Sequence, residues 1–336
     1  MSPKSFQFYR TFVPKLLGLC DPVVLSFDNT TFVKSYTLDP AVTPHHFIHS
    51  GNFFSQPYVK KPELRTKERI LNLQEKLINK RTDGFMTLNV PVNGDLTTPY
   101  WKHSETDRLK AIETSLDSAL WAKENTERPD LLYAGFEVGT YRDASYIFKK
   151  AVNADLTNLS AGFGLFSRLA KYRREDRLKQ FEVLAAYGQL SREFEGTRFH
   201  ASGGSALNVL ELLAYANVTS ADGSSAVIAG LAYGSVLTAT GRLVRANKLT
   251  QWECNCEFCS GSRPSDVIKE LKRSAEARVR HNVHVVRFSL ARINDALANN
   301  TIAELTEQRL TLYNNKTLWK CLAIVNKNPH ERYLYA

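Results

Sequence analysis

Leu131-Leu132-Tyr133-Ala134-Gly135-Phe136 is a short apolar, β-rich run, and the polar Glu137 follows it directly. On either side lie segments whose apolar residues recur at helical spacing, Ser104 to Asn125 before it and Ala144 to Val152 after it. A second β-rich run, Asn158 to Phe163, comes next. Strand, helix and strand in succession imply parallel strands joined by crossover helices. Working outward, Val23 to Phe27, Phe85 to Val90, Phe181 to Ala186, Thr197 to Ala201 and Tyr215 to Ser220 read as further strands. Leu64 to Lys80 and Ala206 to Leu213 read as further helices. At 336 residues, with no repeat, low-complexity tract or Gly/Ser/Pro linker, the expectation is an α/β fold. A (β/α)₈ TIM-type barrel is the leading solution and a doubly wound sheet the second. One catalytic barrel domain is expected over 1–336.

In such a barrel, chemistry gathers on the loops beyond the carboxyl ends of the strands. Polar or glycine residues that follow apolar runs are therefore the candidates: His49, Asp95, Glu137, Gly162, Gly164 and Asp222. Each alone fits a cap or a turn. Their recurrence in register points to a site.

Trp252-Glu253-Cys254-Asn255-Cys256-Glu257-Phe258-Cys259 holds three of the five cysteines in a Cys-x-Cys-x-x-Cys pattern. Thiolates so spaced can wrap one tetrahedral ion, and a structural zinc needs a fourth ligand. His281 and His284, on a segment from Pro264 to Leu297 with helical periodicity, are the candidates. A disulfide or redox cluster is the competing reading. The expected zinc-binding subdomain, 250–285, is inserted in the barrel.

The net charge of +10 and pI near 9.3 favour polyanionic partners, of which phosphate backbones are the commonest. Lys171 to Lys179 and Lys269 to Arg280 are the densest basic stretches, followed by Lys60, Lys61, Arg65, Lys67 and Arg69. Charge alone does not choose DNA or RNA. No run approaches the roughly 18 apolar residues of a membrane helix, and Met1 to Phe6 lacks the pattern of a secretory signal. A soluble, cytoplasmic protein is expected, in the host cytoplasm if it is phage-encoded, with no membrane partner.

The order of motifs resembles the tRNA-guanine transglycosylase family over most of the chain. Pro22 to Thr30 is similar to that family's early strand and Asn-Thr turn, and Ile48-His49-Ser50-Gly51-Asn52-Phe53-Phe54 to its Asp-Ser-Gly-Gly loop. Asp95-Leu96-Thr97-Thr98-Pro99-Tyr100, with Ser115-Leu116 and Trp121-Ala122-Lys123, resembles its Asp-x-x-Thr-Pro-Tyr turn and following helix. Glu137-Val138-Gly139 stands for Gln-Gly-Gly, and Phe163-Gly164-Leu165 for Gly-Gly-Leu. Val218 to Ser225 is similar to the segment that carries the family nucleophile. Cys254, Cys256, Cys259 and His281-Asn282 resemble its zinc signature.

The resemblance implies base exchange at a glycosidic bond on a barrel with a structural zinc held by Cys254, Cys256, Cys259 and His281. Asp222 would be the nucleophile, since a carboxylate can form and release a glycosyl ester. Asp95 would face the base edge. His49, in place of a family carboxylate, would move a proton, unless it is a structural histidine grouped with His45 and His46. Asp28 is a second candidate for the displaced carboxylate. Phe53, or Phe54 with a one-residue slip, would stack on the base, with Glu137, Gly164 and Leu165 completing recognition.

The altered loops favour the branch of that family that inserts 7-deazaguanines, such as 7-cyano-7-deazaguanine, into DNA. A carboxylate serving ribose contacts is dispensable where the sugar has no 2′-hydroxyl. Arg173, Arg174, Arg177 and Lys179 would hold phosphates on either side of a base flipped from the duplex. The alternatives are a tRNA enzyme and a non-catalytic, zinc-containing nucleic-acid-binding paralogue. The sequence leaves a homodimer open.

Overall fold

The computed structural model describes residues 5–11, 22–26, 44–50, 66–94, 98, 100–162, 190, 193–194, 196–203 and 207–313. Short strands whose alternate residues are apolar on one side meet edge to edge in chain order: β1 (Gln7–Thr11), β2 (Val23–Ser26), β3 (His46–His49), β4 (Thr82–Met86), β5 (Leu132–Phe136), β6 (Asn158–Gly162), β7 (Arg198–Ser202) and β8 (Ser220–Gly223). All pairings are parallel, and β8 returns to β1 with Asp222 opposite Tyr9, which closes the sheet into a barrel. The fold is α/β.

Alternation along the strands sorts side chains to two faces. Leu25, Ile48, Phe85, Ala134, Phe136, Leu159, Phe199, Ala201 and Ala221 point outward into the main apolar core. Tyr9, Phe47, Met86 and Tyr133 form a separate apolar cluster inside the barrel. Gly84 on β4 belongs to that inner layer, where a Cβ would come within 2.6 Å of the Tyr133 ring and 2.8 Å of Phe47.

Around the barrel, among the described residues, stand α1 (Lys67–Glu75), α2 (Glu105–Asn125), α3 (Tyr141–Asn153), α4 (Leu207–Tyr215), α5 (Ser225–Leu231), α6 (Pro264–Arg273), α7 (Ala275–Ala298) and α8 (Ile302–Tyr313). Several begin at side-chain caps. Thr66, Ser104, Thr140 and Ser274 accept hydrogen bonds from the backbone N–H of Arg69, Asp107, Asp143 and Ala277, satisfying donors that the first turn leaves unpaired. A buried ion pair, Arg309 to Glu211 at 2.9 Å, ties α8 to α4. No helix among the described residues is long and apolar enough to cross a membrane.

Several expected elements differ in extent. The periodic segment from Pro264 to Leu297 is two helices, because Ser274 leaves the helical conformation to cap α7. Tyr215 to Ser220 is not a strand. Helix α4 runs to Tyr215 and ends at Asn217, whose φ of 64° reverses the chain while the Val218 N–H donates to the Leu213 carbonyl. Strand β8 begins only at Ser220, so Asp222 lies within a strand rather than after one. The expected strand at Phe85 to Val90 is β4, three residues earlier at its start and ending at Met86. The expected strand Phe181 to Ala186 falls outside the described residues.

After α5 the chain leaves the barrel wall in an antiparallel hairpin, β9 (Ser235–Leu237) and β10 (Leu243–Arg245). Val236, Ala246, Leu249, Trp252, Cys259, Val267 and Leu271 pack there as a second small core. Cys254 is packed against both this core and the main one.

Candidate active site and metal centre

Inward positions near the carboxyl ends of β3, β6, β7 and β8 are polar. On β8, Ser220 and Asp222 face inward on either side of outward Ala221, and on β7 His200 and Ser202 do so around Ala201. Asp222 is 6% exposed and His200 is fully buried. The imidazole of His200 lies flat on Phe47, with ring centroids 4.1 Å apart and 13° between planes. Its Nε2 is 3.0 Å from Asp222 Oδ2, and its Nδ1 is 2.8 Å from Ser220 Oγ. The backbone N–H of Gly203 donates to Asp222 Oδ1 at 2.8 Å.

His49, at the end of β3, reaches the same group from across the barrel. Its Nε2 lies 3.5 Å from Asp222 Oδ2 and 3.0 Å from Ser202 Oγ, which is itself 3.3 Å from Ser160 Oγ on β6. Groups from β3 and β7 thus meet the carboxylate carried by β8, and β6 joins through the Ser160–Ser202 contact. Burial drives the Asp222 carboxyl upward, but the hydrogen bond from His200, the nearby imidazole of His49 and the Gly203 amide outweigh it and hold the group below the usual carboxylate range. Asp222 is ionised near neutrality, oriented, and shielded from bulk water.

His49 does not group with His45 and His46. One strand position of opposite parity puts His46 on the outer face, where it meets the Pro44 and Leu77 carbonyls and Thr82 Oγ1. His45 pairs with Asp83 at 2.9 Å. Ser50, next to His49, donates to Asn89 Oδ1 at 3.0 Å, which ties the end of β3 to the chain beyond β4.

Glu137 is buried directly beyond β5. Its motif neighbour Gly139 has a structural reason: a Cβ there would lie 2.6 Å from the Tyr100 ring. Tyr100 in turn donates to Asp143 Oδ2 at 3.0 Å, and Arg108 donates to the same oxygen at 2.8 Å. Asp95, Asp28, Phe53, Phe54, Gly164 and Leu165 lie outside the described residues, as do Arg173, Arg174, Arg177 and Lys179. Of the basic residues from Lys269 to Arg280, Lys269, Lys272 and Arg273 are exposed on α6, whereas Arg280 pairs with Glu276 at 2.9 Å.

Reading the sequence for residues after apolar runs missed His200, Ser202 and Ser220. The available signal was period-two polarity inside β-rich stretches: His200 and Ser202 alternate with Phe199 and Ala201, and Ser220 and Asp222 flank Ala221. A strand with one apolar face and one face of short polar residues fits a barrel wall whose lumen does chemistry.

In the hairpin module, one ligand atom from each of Cys254, Cys256, Cys259 and His281 lies within 4.8 Å of all the others, so the four can hold a metal ion. His281 Nδ1 is 3.4 Å from Cys256 Sγ and 3.3 Å from Cys259 Sγ. A tetrahedral zinc with one nitrogen and three sulfur ligands separates N and S by about 3.6 Å. His281 Nε2 donates to the Leu237 carbonyl at 2.6 Å, which leaves Nδ1 as the lone-pair nitrogen. Trp252 donates its indole N–H to Cys259 Sγ at 3.4 Å. The sulfurs perturb one another: hydrogen bonds from Cys256 and Cys259 push the Cys254 thiol strongly down, while the same contacts push the other two up. His284 is not in this set; its Nδ1 pairs with Glu257 at 3.1 Å.

No protein-family model matches the chain, and no curated protein matches it.

Proposed function

We propose that this chain is a base-exchange transglycosylase of the tRNA-guanine transglycosylase type, on a (β/α)₈ TIM-type barrel with a structural zinc in an inserted subdomain, replacing guanine in DNA with a 7-deazaguanine. The observation that carries the reading is the Asp222 carboxylate, held ionised at the carboxyl end of β8 and inside the barrel, with His49 across from it. The motif order along the chain supplies the reaction type, and the charge of +10 supports a nucleic-acid substrate.

In this reading an Asp222 oxygen forms a bond to C1′ of the target nucleotide as the C1′–N9 bond breaks. The electron pair leaves with guanine, which takes up a proton. The glycosyl ester then waits for a second base. Its N9 attacks C1′, gives up its proton and releases Asp222 as carboxylate. His49, at 3.0 Å from Ser202 and 3.5 Å from Asp222, is assigned to give and take that proton. Asp95, Glu137, Phe53, Gly164 and Leu165 are assigned to the base, and Arg173, Arg174, Arg177 and Lys179 to phosphates. Zinc would be bound by Cys254, Cys256, Cys259 and His281, and four protein ligands make its contribution structural.

The test is incubation of the purified protein with labelled 7-cyano-7-deazaguanine and either duplex DNA or tRNA. Label is expected in DNA, with a covalent protein–DNA adduct that Asp222→Ala abolishes. Label in tRNA alone overturns the DNA assignment. Exchange into neither substrate overturns the enzyme reading in favour of a zinc-containing binding module.

A further inference from the structure

We propose that His200 is a positioning residue for Asp222: bridged between the Ser220 hydroxyl and the carboxylate and stacked on Phe47, it donates its Nε2–H to Asp222 and holds the carboxylate aligned inside a desolvated barrel. The inference rests on Asp222 being the nucleophile, and it names a residue that the reaction scheme above does not use.

The geometry leaves little freedom. Asp222 accepts hydrogen bonds, so the His200 nitrogen facing Oδ2 at 3.0 Å carries the proton. Its other nitrogen, Nδ1, lies 2.8 Å from the Ser220 hydroxyl, which holds the ring in that orientation. Phe47 covers one face of the ring at 4.1 Å. Ser220 and Asp222 are two residues apart on the same strand, so one imidazole on the neighbouring strand spans both inward positions of β8. An interior packing role alone would be met by an apolar ring; the donor and acceptor pair is aimed at the carboxylate.

Among the described residues, the other titratable groups around this pair are few. His49 faces it from β3, Tyr9 from β1 and Tyr133 from β5, the two tyrosine rings centred 6.0 and 6.2 Å from that of His200. Burial pushes both tyrosines up and keeps them neutral. Asp83 on β4 and Arg198 on β7 interact with the tyrosine hydroxyls, and Glu137 lies just beyond β5. Loss of His200 therefore leaves His49 and the Gly203 amide as the remaining described partners of a buried carboxylate. Its protonation then becomes easier.

Three variants test this. His200→Phe keeps an aromatic ring against Phe47 and removes the donor; His200→Gln restores a donor at the Nε2 position; Ser220→Ala removes the partner that orients the ring at Nδ1. For His200→Phe, kcat for base exchange should fall by on the order of 10²-fold, KM for DNA should hold, and the acid limb of the kcat profile should move to higher pH. His200→Gln should recover most of the rate and the wild-type limb. Carboxyl ¹³C titration of Asp222 gives a readout free of activity, and should show the same upward move in His200→Phe and a smaller one in Ser220→Ala. A folded His200→Phe with an unmoved Asp222 titration and acid limb overturns the inference. If His200→Phe does not fold, Ser220→Ala decides by the same titration. A wild type without exchange on either nucleic acid defeats the nucleophile reading instead, and the titration still reports on the His200–Asp222 contact.

Discussion

At the scale of the residue, His281 shows how one side chain joins a candidate metal site to the fold. Its Nε2–H donates to the Leu237 carbonyl at 2.6 Å, so its Nδ1 lone pair is presented to three sulfurs. The cysteine spacing was legible in the sequence, because three thiols within six residues have few other uses. The fourth ligand was open between His281 and His284 on spacing alone. Residues three apart share a helix face, but here the first is buried beneath Trp252 and the second pairs with exposed Glu257. If the cluster holds zinc as proposed, Cys259→Ser and His281→Ala should each fail to bind it, whereas His284→Ala should retain wild-type content. Metal analysis of the purified variants checks this, and full occupancy in Cys259→Ser would remove the site. Asp222 was equally legible as a candidate, but the partners that keep it ionised were not.

At the scale of the element, α7 is the beam to which the metal module is fastened. Asn282, fully buried next to His281, accepts from the Leu237 N–H at 2.8 Å and donates to the Ala226 and Ser235 carbonyls at 2.9 and 3.2 Å. Both hydrogen-bonding groups of Leu237 are therefore held by neighbouring α7 residues. Asn282→Ala leaves buried N–H and C=O groups unpaired and should cost about 2 kcal/mol or more. Denaturant unfolding followed by Trp252 fluorescence checks it; an unchanged midpoint would show that β9 is held otherwise. The His281-Asn282 pair read in the sequence as part of a metal signature, and only packing shows that the Asn is a clamp. Strands β1 and β3 escaped the sequence reading for a related reason. Gln7, Arg10, His46 and His49 interrupt their apolar runs, and His46 and His49 meet polar partners on the outer and inner faces respectively.

At the scale of the whole molecule, the barrel surrounds a charge that it must keep stable. The folded-state pKa of Asp222 is depressed, so its contribution to stability is present above the unfolded carboxylate range and is lost as pH falls through the folded value. The wild type should therefore lose stability more steeply than Asp222→Asn between about pH 5 and the lowest pH at which both fold. Thermal unfolding across that range checks the sign; parallel curves would mean that the network does not favour the ionised form. Buried Glu211 acts oppositely. Burial raises its pKa against the pull of Arg309, so it does not share in the acid-side loss.

The sequence by itself determined the strand–helix alternation, the basic charge, the cysteine cluster and the candidacy of Asp222. Those features depend on local spacing and composition, which any chain segment carries with it. Only the tertiary structure decided the closure of β8 onto β1, the face to which each histidine points, and the meeting of His49, His200, Ser220 and Gly203 on one carboxylate. Residues 153 positions apart, such as His49 and Ser202, are joined by a hydrogen bond that no local pattern encodes. The physical reason is the barrel itself: its curvature turns alternate side chains of distant strands into one small volume, where burial makes each hydrogen bond count.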